Sequence, residues 1–168
     1  MIETRKLHPD DVAHYVAFRQ TMLRETPWAF AANPDDDRGS NEAHLRDALM
    51  QDYYDIVAVI GAGGQLLAAA GVHRPTNPKF SHRAKVWGVY TDALFRRRGY
   101  GRGVVSSAVD IARGWGVSYV DLGVSASADA AIGLYESLGF VAWGREPEST
   151  FVDGTYHDEI FMSLKLKE

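Results

Sequence analysis

Apolar residues recur along this chain with two periods, every second position in some stretches and every third or fourth in others, and their order outlines alternating strands and helices. Met1–Leu7 reads as a first strand. His8-Pro9-Asp10-Asp11 is a helix start, and Val12, Tyr15, Val16, Met22 and Leu23 then fall on one stripe that Pro27 ends. The polar stretch ANPDDDRGSN leads to a second, shorter helix bearing Leu45, Ala48 and Leu49. DIVAVI and QLLAAAGVHR are strand-like runs about Gly61-Ala62-Gly63-Gly64, which makes them a hairpin. Lys85–Thr91 is apolar on both sides, as a central strand should be, and alternation puts Trp87 and Val89 on one face, Val86 and Tyr90 on the other.

After Thr91 the period changes. Val104, Ala108, Ile111 and Trp115 recur at helical spacing, Val105, Val109 and Ala112 widen the stripe, and Gly114 and Gly116 close it. Val120, Leu122 and Val124 alternate in a further strand. A short helix follows from about Asp129 to Leu138, with Gly139 as its cap and Phe140 opening the next strand. Ile160, Met162, Leu164 and Leu166 alternate as the last strand.

A length of 168 residues, 46% of them hydrophobic, suits one globular domain over residues 1–168. Such a domain buries about two thirds of the surface its unfolded chain exposes. The absence of cysteine removes disulfides, thiolate metal sites and cysteine nucleophiles together. The stretch MIETRKLHPDDVAHYV has no basic leader before an apolar core, and no apolar run approaches twenty residues. Neither a signal peptide nor a membrane span is therefore expected, and a cytoplasmic protein is.

The charge is unevenly placed. Lys79 to Arg102 holds seven basic residues against one acidic, a local +6 within a chain of net charge −4. Within it, FRRRGYGRGVV packs four arginines and three glycines into eleven positions between a strand and a helix. Glycines let backbone N–H groups approach an anion and arginines supply its counter-charge, so the stretch reads as a phosphate-binding loop. An acidic remainder and the lack of a long basic helix favour a small phosphorylated ligand over nucleic acid. The dinucleotide fingerprint fails on spacing, because Gly99 and Gly101 are followed by Val104 where a third glycine is needed, and the Gly-Lys-Ser/Thr of a P-loop is missing.

The pattern that does fit is Arg-x-x-Gly-x-Gly, as Arg96, Gly99 and Gly101 at the end of a strand and the start of a helix. It resembles the pyrophosphate loop of the GNAT N-acetyltransferases, and AAIGLYESLGF (Ala130–Phe140) resembles that family's second signature, one helix and one strand further on. The likeness covers most of the chain from about Asp55. Before that it is looser, although PWAFAANPDDD is similar to the substrate-side segment of many members.

The resemblance implies an α/β (α+β) fold, a mixed central sheet of about six or seven strands flanked by about four helices. It also implies acetyl-CoA as co-substrate, with no metal, and direct transfer to a primary amine of a small molecule or of a peptide or protein N-terminus. Homodimers are common in the family. Backbone N–H groups around Arg97, Arg98, Gly99, Tyr100, Gly101 and Arg102 would surround the pyrophosphate at the helix N-terminus, with Arg96 and its neighbours supplying charge. Val89 and Thr91 correspond to the strand whose backbone pairs with the pantetheine arm. Tyr135 corresponds to the tyrosine that protonates the departing thiolate. Ala128 stands where members often carry an asparagine that contacts pantetheine.

No carboxylate occurs from Arg83 to Thr91, where some members keep a glutamate base, and Asp92, His73, Asp121 and Glu159 are candidates in its place. His157 and Glu159, alternate on a strand, lack a third metal ligand and read as solvated. Asp35-Asp36-Asp37 could draw a cationic amine toward the site, but an acidic run in a loop is usually solvated, and that reading is preferred. A coenzyme A-binding regulatory module without turnover is the rival function, and Tyr135 argues against it.

Overall fold

The computed structural model describes residues 2–167, and their strands form one mixed sheet. In chain order the elements are β1 (Arg5–Lys6), α1 (Val12–Glu25), α2 (Glu42–Leu49), β2 (Tyr54–Ile60), β3 (Leu66–His73), β4 (Arg83–Thr91), α3 (Tyr100–Gly114), β5 (Tyr119–Ser125), α4 (Asp129–Ser137), β6 (Val141–Val152) and β7 (Thr155–Lys165). The strands lie in the order β1-β2-β3-β4-β5-β7-β6. Neighbours are antiparallel except β4 and β5, which α3 connects in parallel.

The first strand is shorter than the sequence suggests. Met1 lies outside the described residues, and only Arg5 and Lys6 pair with β2. Ile2 and Thr4 instead cover the start of α3: Ile2 packs beside Gly99 and Gly103, and Thr4 Oγ1 lies 2.6 Å from Ser107 Oγ.

Each face of the sheet carries its own core. On one, Val104, Val105, Ala108, Val109 and Ala112 of α3 pack on Ala84, Val86, Val120, Leu122, Val124 and Met162, with Tyr135 and Phe140 closing the end. On the other, Val12, Tyr15, Phe18, Met22 and Leu23 of α1 and Leu45 of α2 cover Ile56, Ala58, Leu66, Ala69 and Tyr90. Burying each of the valine, leucine, isoleucine, phenylalanine and methionine side chains among them contributes roughly 1.5 to 3 kcal/mol, which is why the helical stripes legible in the sequence decide the layering.

Alternation along β4 breaks at Gly88, whose φ is +59°. Ala69 pairs with Tyr90 but Gly71 with Trp87, so the strand carries an extra residue at a bulge. The two faces expected for this strand are corrected accordingly. Val86 and Val89 face α3, while Trp87 and Tyr90 face α1.

Between α1 and α2 the chain is anchored by Asp37, which overturns its reading as solvated. Its side chain is 3% exposed and Arg19 of α1 reaches it through Nε at 2.5 Å and Nη2 at 3.0 Å. Ser40 Oγ, at 2.6 Å, and the Gly39 N–H, at 3.1 Å, donate to the same carboxylate. Asp35, by contrast, is 96% exposed. Burial alone would raise the Asp37 pKa, but the hydrogen bonds from Arg19 and Ser40 outweigh it and hold the group below the usual carboxylate range. The folded-state pKa is the depressed one, so the pair's stability is present above the unfolded value near pH 4 and is lost as pH falls through the folded value. Asp37→Asn should cost about 3 kcal/mol, because Arg19 is left charged and enclosed, and should flatten the acid side of the stability profile. Urea denaturation of both proteins at several pH values measures both effects.

Candidate active site

β4 and β5 exchange pairs only at Arg83–Tyr119, Ala84–Val120 and Lys85–Asp121. Above that seam β4 stays on β3 as far as Thr91, and β5 stays on β7 as far as Ser125. Two interior strands therefore part within the sheet and turn backbone groups toward a gap. The Asp92 N–H donates to the Leu67 carbonyl at 2.9 Å, which makes Tyr90 and Ala69 the next hydrogen-bonded pair. Thr91, between those two pairs, consequently turns its N–H and C=O away from β3, toward the gap, where the carbonyl accepts from Arg96 Nε, and Val89 turns its C=O the same way.

At the mouth of the gap, Asp92 caps a short turn through the Leu94 N–H at 2.9 Å. Arg97 then takes a left-handed φ of +61° and Gly99 one of +80°. Gly99 is the N-cap of α3, and the first N–H of that helix to bond back is Gly103, to the Gly99 carbonyl at 3.0 Å. The N–H groups of Tyr100, Gly101 and Arg102 are left as the free donors of a helix N-terminus. Gly101 lies between β4 and α4, where a Cβ would make ordinary contacts with Thr91 Oγ1 at 3.4 Å and Leu134 Cδ2 at 3.6 Å.

The arginines divide by role. Arg96 folds back, its Nε donating to the Thr91 carbonyl at 3.1 Å and its guanidinium 5.5 Å from the Tyr90 ring. Arg98 lies over Phe95 at 5.3 Å, and Arg102 donates to Ser137 Oγ of α4 at 2.8 Å. Arg96, Arg97, Arg98 and Arg102 are all exposed.

Tyr135 is buried at 5% exposure, edge-on to Phe140 with ring centroids 5.9 Å apart. Burial raises its pKa above the ordinary phenol value, so the hydroxyl keeps its proton at neutral pH. Among the described residues the hydroxyl has no hydrogen-bond partner, yet it is not among the fully enclosed polar atoms. Ala128 offers no side-chain cap to α4 and packs into the core.

Of the four candidate bases, Asp92 is a cap and Asp121 holds Arg83 through two bonds of 2.6 and 2.7 Å while accepting from Ser163 Oγ at 2.5 Å. His73 pairs across from Lys85, beside the seam, and burial first and the Lys85 charge second lower its pKa. Glu159 lies over Gly123 of β5. His157 Nδ1 is 3.3 Å from Ser127 Oγ, and its ring is 6.3 Å from that of Trp28. Sequence reasoning missed Glu25, whose carboxylate accepts from the Tyr90 hydroxyl; its position at the last turn of α1 was the available signal.

Pro27, Phe30, Ala32 and Pro34 line a cavity with Thr150–Asp153 at the tip of the β6–β7 hairpin. Trp28 and Phe30 thus carry the α1–α2 segment from Tyr90 on one side to His157 on the other, over the α1 face of the sheet.

A parted mixed sheet with a helix N-terminus at its mouth is the architecture of an acetyltransferase fold. Residues 16–140 match the model of the acetyltransferase (GNAT) family, and the chain belongs to that family. It is 39% identical over 80 residues to the N-alpha-acetyltransferase RimI of Mycobacterium tuberculosis, covering 47% of this chain and 48% of that protein. The L-amino acid N-acyltransferase MnaT of Escherichia coli is 32% identical over 80 residues, covering 48% and 46%. The matched region thus spans about half the length of these curated relatives. The structure of yncA from Salmonella typhimurium, with its cofactor acetyl-CoA, superposes with a TM-score of 0.84 at 22% identity over 99% of this chain and 94% of the other.

The Gly88 bulge bears on all of this, because it turns Val89 toward α3 and sets the last residues of β4. Gly88→Ala places a side chain at a left-handed φ and 3.4 Å from Arg19 Nη1. A loss of about 1 to 2 kcal/mol in urea denaturation is expected; an unchanged midpoint would show that the strand flattens without strain.

Proposed function

We propose that residues 1–168 act as one cytoplasmic acetyl-CoA-dependent N-acetyltransferase domain that moves an acetyl group directly to a primary amine. The acceptor is a primary amine of a small molecule or of a peptide or protein N-terminus, a range supported by the names of the two relatives. The observation that supports this reading is that the end of β4 at Val89 and Thr91 has no strand partner on the β5 side and leads directly into the free N–H groups that open α3.

These residues fit acetyl-CoA. An extended pantetheine arm would add to β4 as a strand adds to a sheet edge, through Val89 and Thr91. Its pyrophosphate would meet the N–H groups from Gly99 to Arg102, where the helix dipole adds roughly 0.3 to 1 kcal/mol per favourable charge. Arg97 and Arg98 are exposed beside them, and Arg96 can exchange the Thr91 carbonyl for a phosphate oxygen. Acetyl-CoA supplies a thioester whose sulfur leaves as the amine attacks.

Tyr135 then acts as a hydrogen-bond donor to that sulfur. A thiol is ordinarily more acidic than a phenol by about 1.5 pKa units, so handing the proton over completely is uphill by about 2 kcal/mol. Sharing it stabilises developing charge without that cost. A phenol with no protein partner for its hydroxyl is suited to the task.

Acetyl-CoA should raise the melting temperature, since a ligand at a hundredfold excess over Kd adds about 2.7 kcal/mol to the folded state. A melting curve unmoved by millimolar acetyl-CoA removes the reading. Tyr135→Phe keeps the ring and its contact with Phe140, so stability and acetyl-CoA affinity should hold while kcat falls about 10- to 1,000-fold. Steady-state kinetics beside calorimetric titration measures both, and an unchanged kcat with chemistry rate-limiting takes Tyr135 out of the mechanism.

A further inference from the structure

One carboxylate stands where an attacking amine has to shed a proton. β4 and β5 run parallel and last pair at Lys85 and Asp121. Continuing at about 3.3 Å per residue sets Gly123 level with Trp87, and Ser125 level with the bulge at Gly88 and Val89, across the gap. Glu159 of β7 pairs with Ser125, and its side chain leans back over Gly123 so closely that a Cβ on that glycine would run into the carboxylate. Gly123 and Glu159 share the sheet face of Asp121 and Phe161, whereas Leu122 and Val124 point to the α3 side. Glu159 therefore forms the β5 wall of the gap on the face away from the phosphate loop, the side roofed by Trp28 and Phe30.

Its surroundings leave it free to act. Ser149 Oγ, brought round by the irregularity between Glu146 and Thr150, lies 3.4 Å from Glu159 Oε2 and 3.2 Å from Glu146 Oε2. Glu146 is the cross-strand partner, and among the described residues no lysine or arginine pairs with either carboxylate. His157, two positions along β7, is engaged by Ser127. Lys85 and the Arg83–Asp121 pair lie toward the seam, and Glu25 on the β4 side is held by Tyr90.

The geometry points to Glu159 as the group that takes the proton from the attacking amine, an assignment that rests on the acetyl-transfer reading. Glu159 takes one proton from the incoming ammonium, directly or through one water, and the lone pair this frees forms the bond to the acetyl carbonyl carbon. The C–S bond breaks, its electron pair leaves on sulfur beside the Tyr135 hydroxyl, sulfur gains a proton as the nitrogen loses its second through solvent, and Glu159 returns its own to solvent. Gly123 is the positioning residue that lets the carboxylate reach this place.

The test uses the whole chain with acetyl-CoA and three primary amines of falling basicity: 2-methoxyethylamine, glycinamide and 2,2,2-trifluoroethylamine. Glu159→Gln should lower kcat/KM for the most basic amine at pH 7 by about 10²- to 10⁴-fold. The deficit should shrink as pH rises and along the series, because an amine already neutral has less need of a base. Gly123→Ala retains the carboxylate but displaces it, and should reproduce the defect in part. Acetyl-CoA affinity should be unchanged in both. If the parent transfers acetyl groups and Glu159→Gln is as active, or is impaired equally at every pH and for every amine, Glu159 is not the proton acceptor. If the parent binds acetyl-CoA but transfers to none of the amines, the activity falls and this role with it.

Discussion

Arg83 and Asp121 clasp β4 to β5 diagonally across a seam of only three residue pairs. The clasp is bidentate, with Ser163 of β7 bonded to the same carboxylate and the Tyr119 ring 4.3 Å from the guanidinium. It holds the two strands together at the one end where they must meet. Beyond it each strand is retained by its other neighbour, β4 by β3 and β5 by β7, so parting costs neither strand its place in the sheet. Unpaired backbone at a sheet edge is ordinarily a liability, open to any extended chain. Here the edge is internal, narrow and flanked by helices, which limits what can pair with it.

The same division separates charges. The arginine-rich loop and the α3 N-terminus lie at the mouth with α3 and α4 behind them, whereas Glu25 and Glu159 lie toward the face of α1 and the final hairpin. Positive charge is thus gathered at one opening of the gap and these two carboxylates on the other face of the sheet. The sheet keeps the two sets of charges apart, so each shapes the potential over its own face.

Much of the fold was legible in the sequence because it rests on apolar periodicity. The α1 and α3 stripes, the β2–β3 hairpin and the strand–loop–helix around Gly99 all follow from local pattern. What was illegible depends on contacts distant in sequence. Trp87 and Val89 were set on one face because strict alternation cannot foresee the bulge, although Gly88 was its visible trace. Asp37 looked like one of three solvated acids because its partner Arg19 is eighteen residues away, on α1. The insertion of β7 between β5 and β6, which brings Glu159 beside Gly123, leaves no mark in local composition.

The α1–α2 segment is joined to the scaffold at few points. Arg19 grips Asp37, Gln20 donates to the Pro34 carbonyl at 2.8 Å and to Ser40 Oγ at 2.9 Å, and Phe30 touches Tyr90 edge-on. None of these fastenings is a strand of the sheet. The segment therefore behaves as a detachable module: its outward side chains can be rewritten, or its length changed between Pro27 and Pro34, while Arg19, Gln20 and Asp37 keep both ends moored. A lineage, or a protein engineer, can vary that stretch without disturbing a single strand pairing of the sheet.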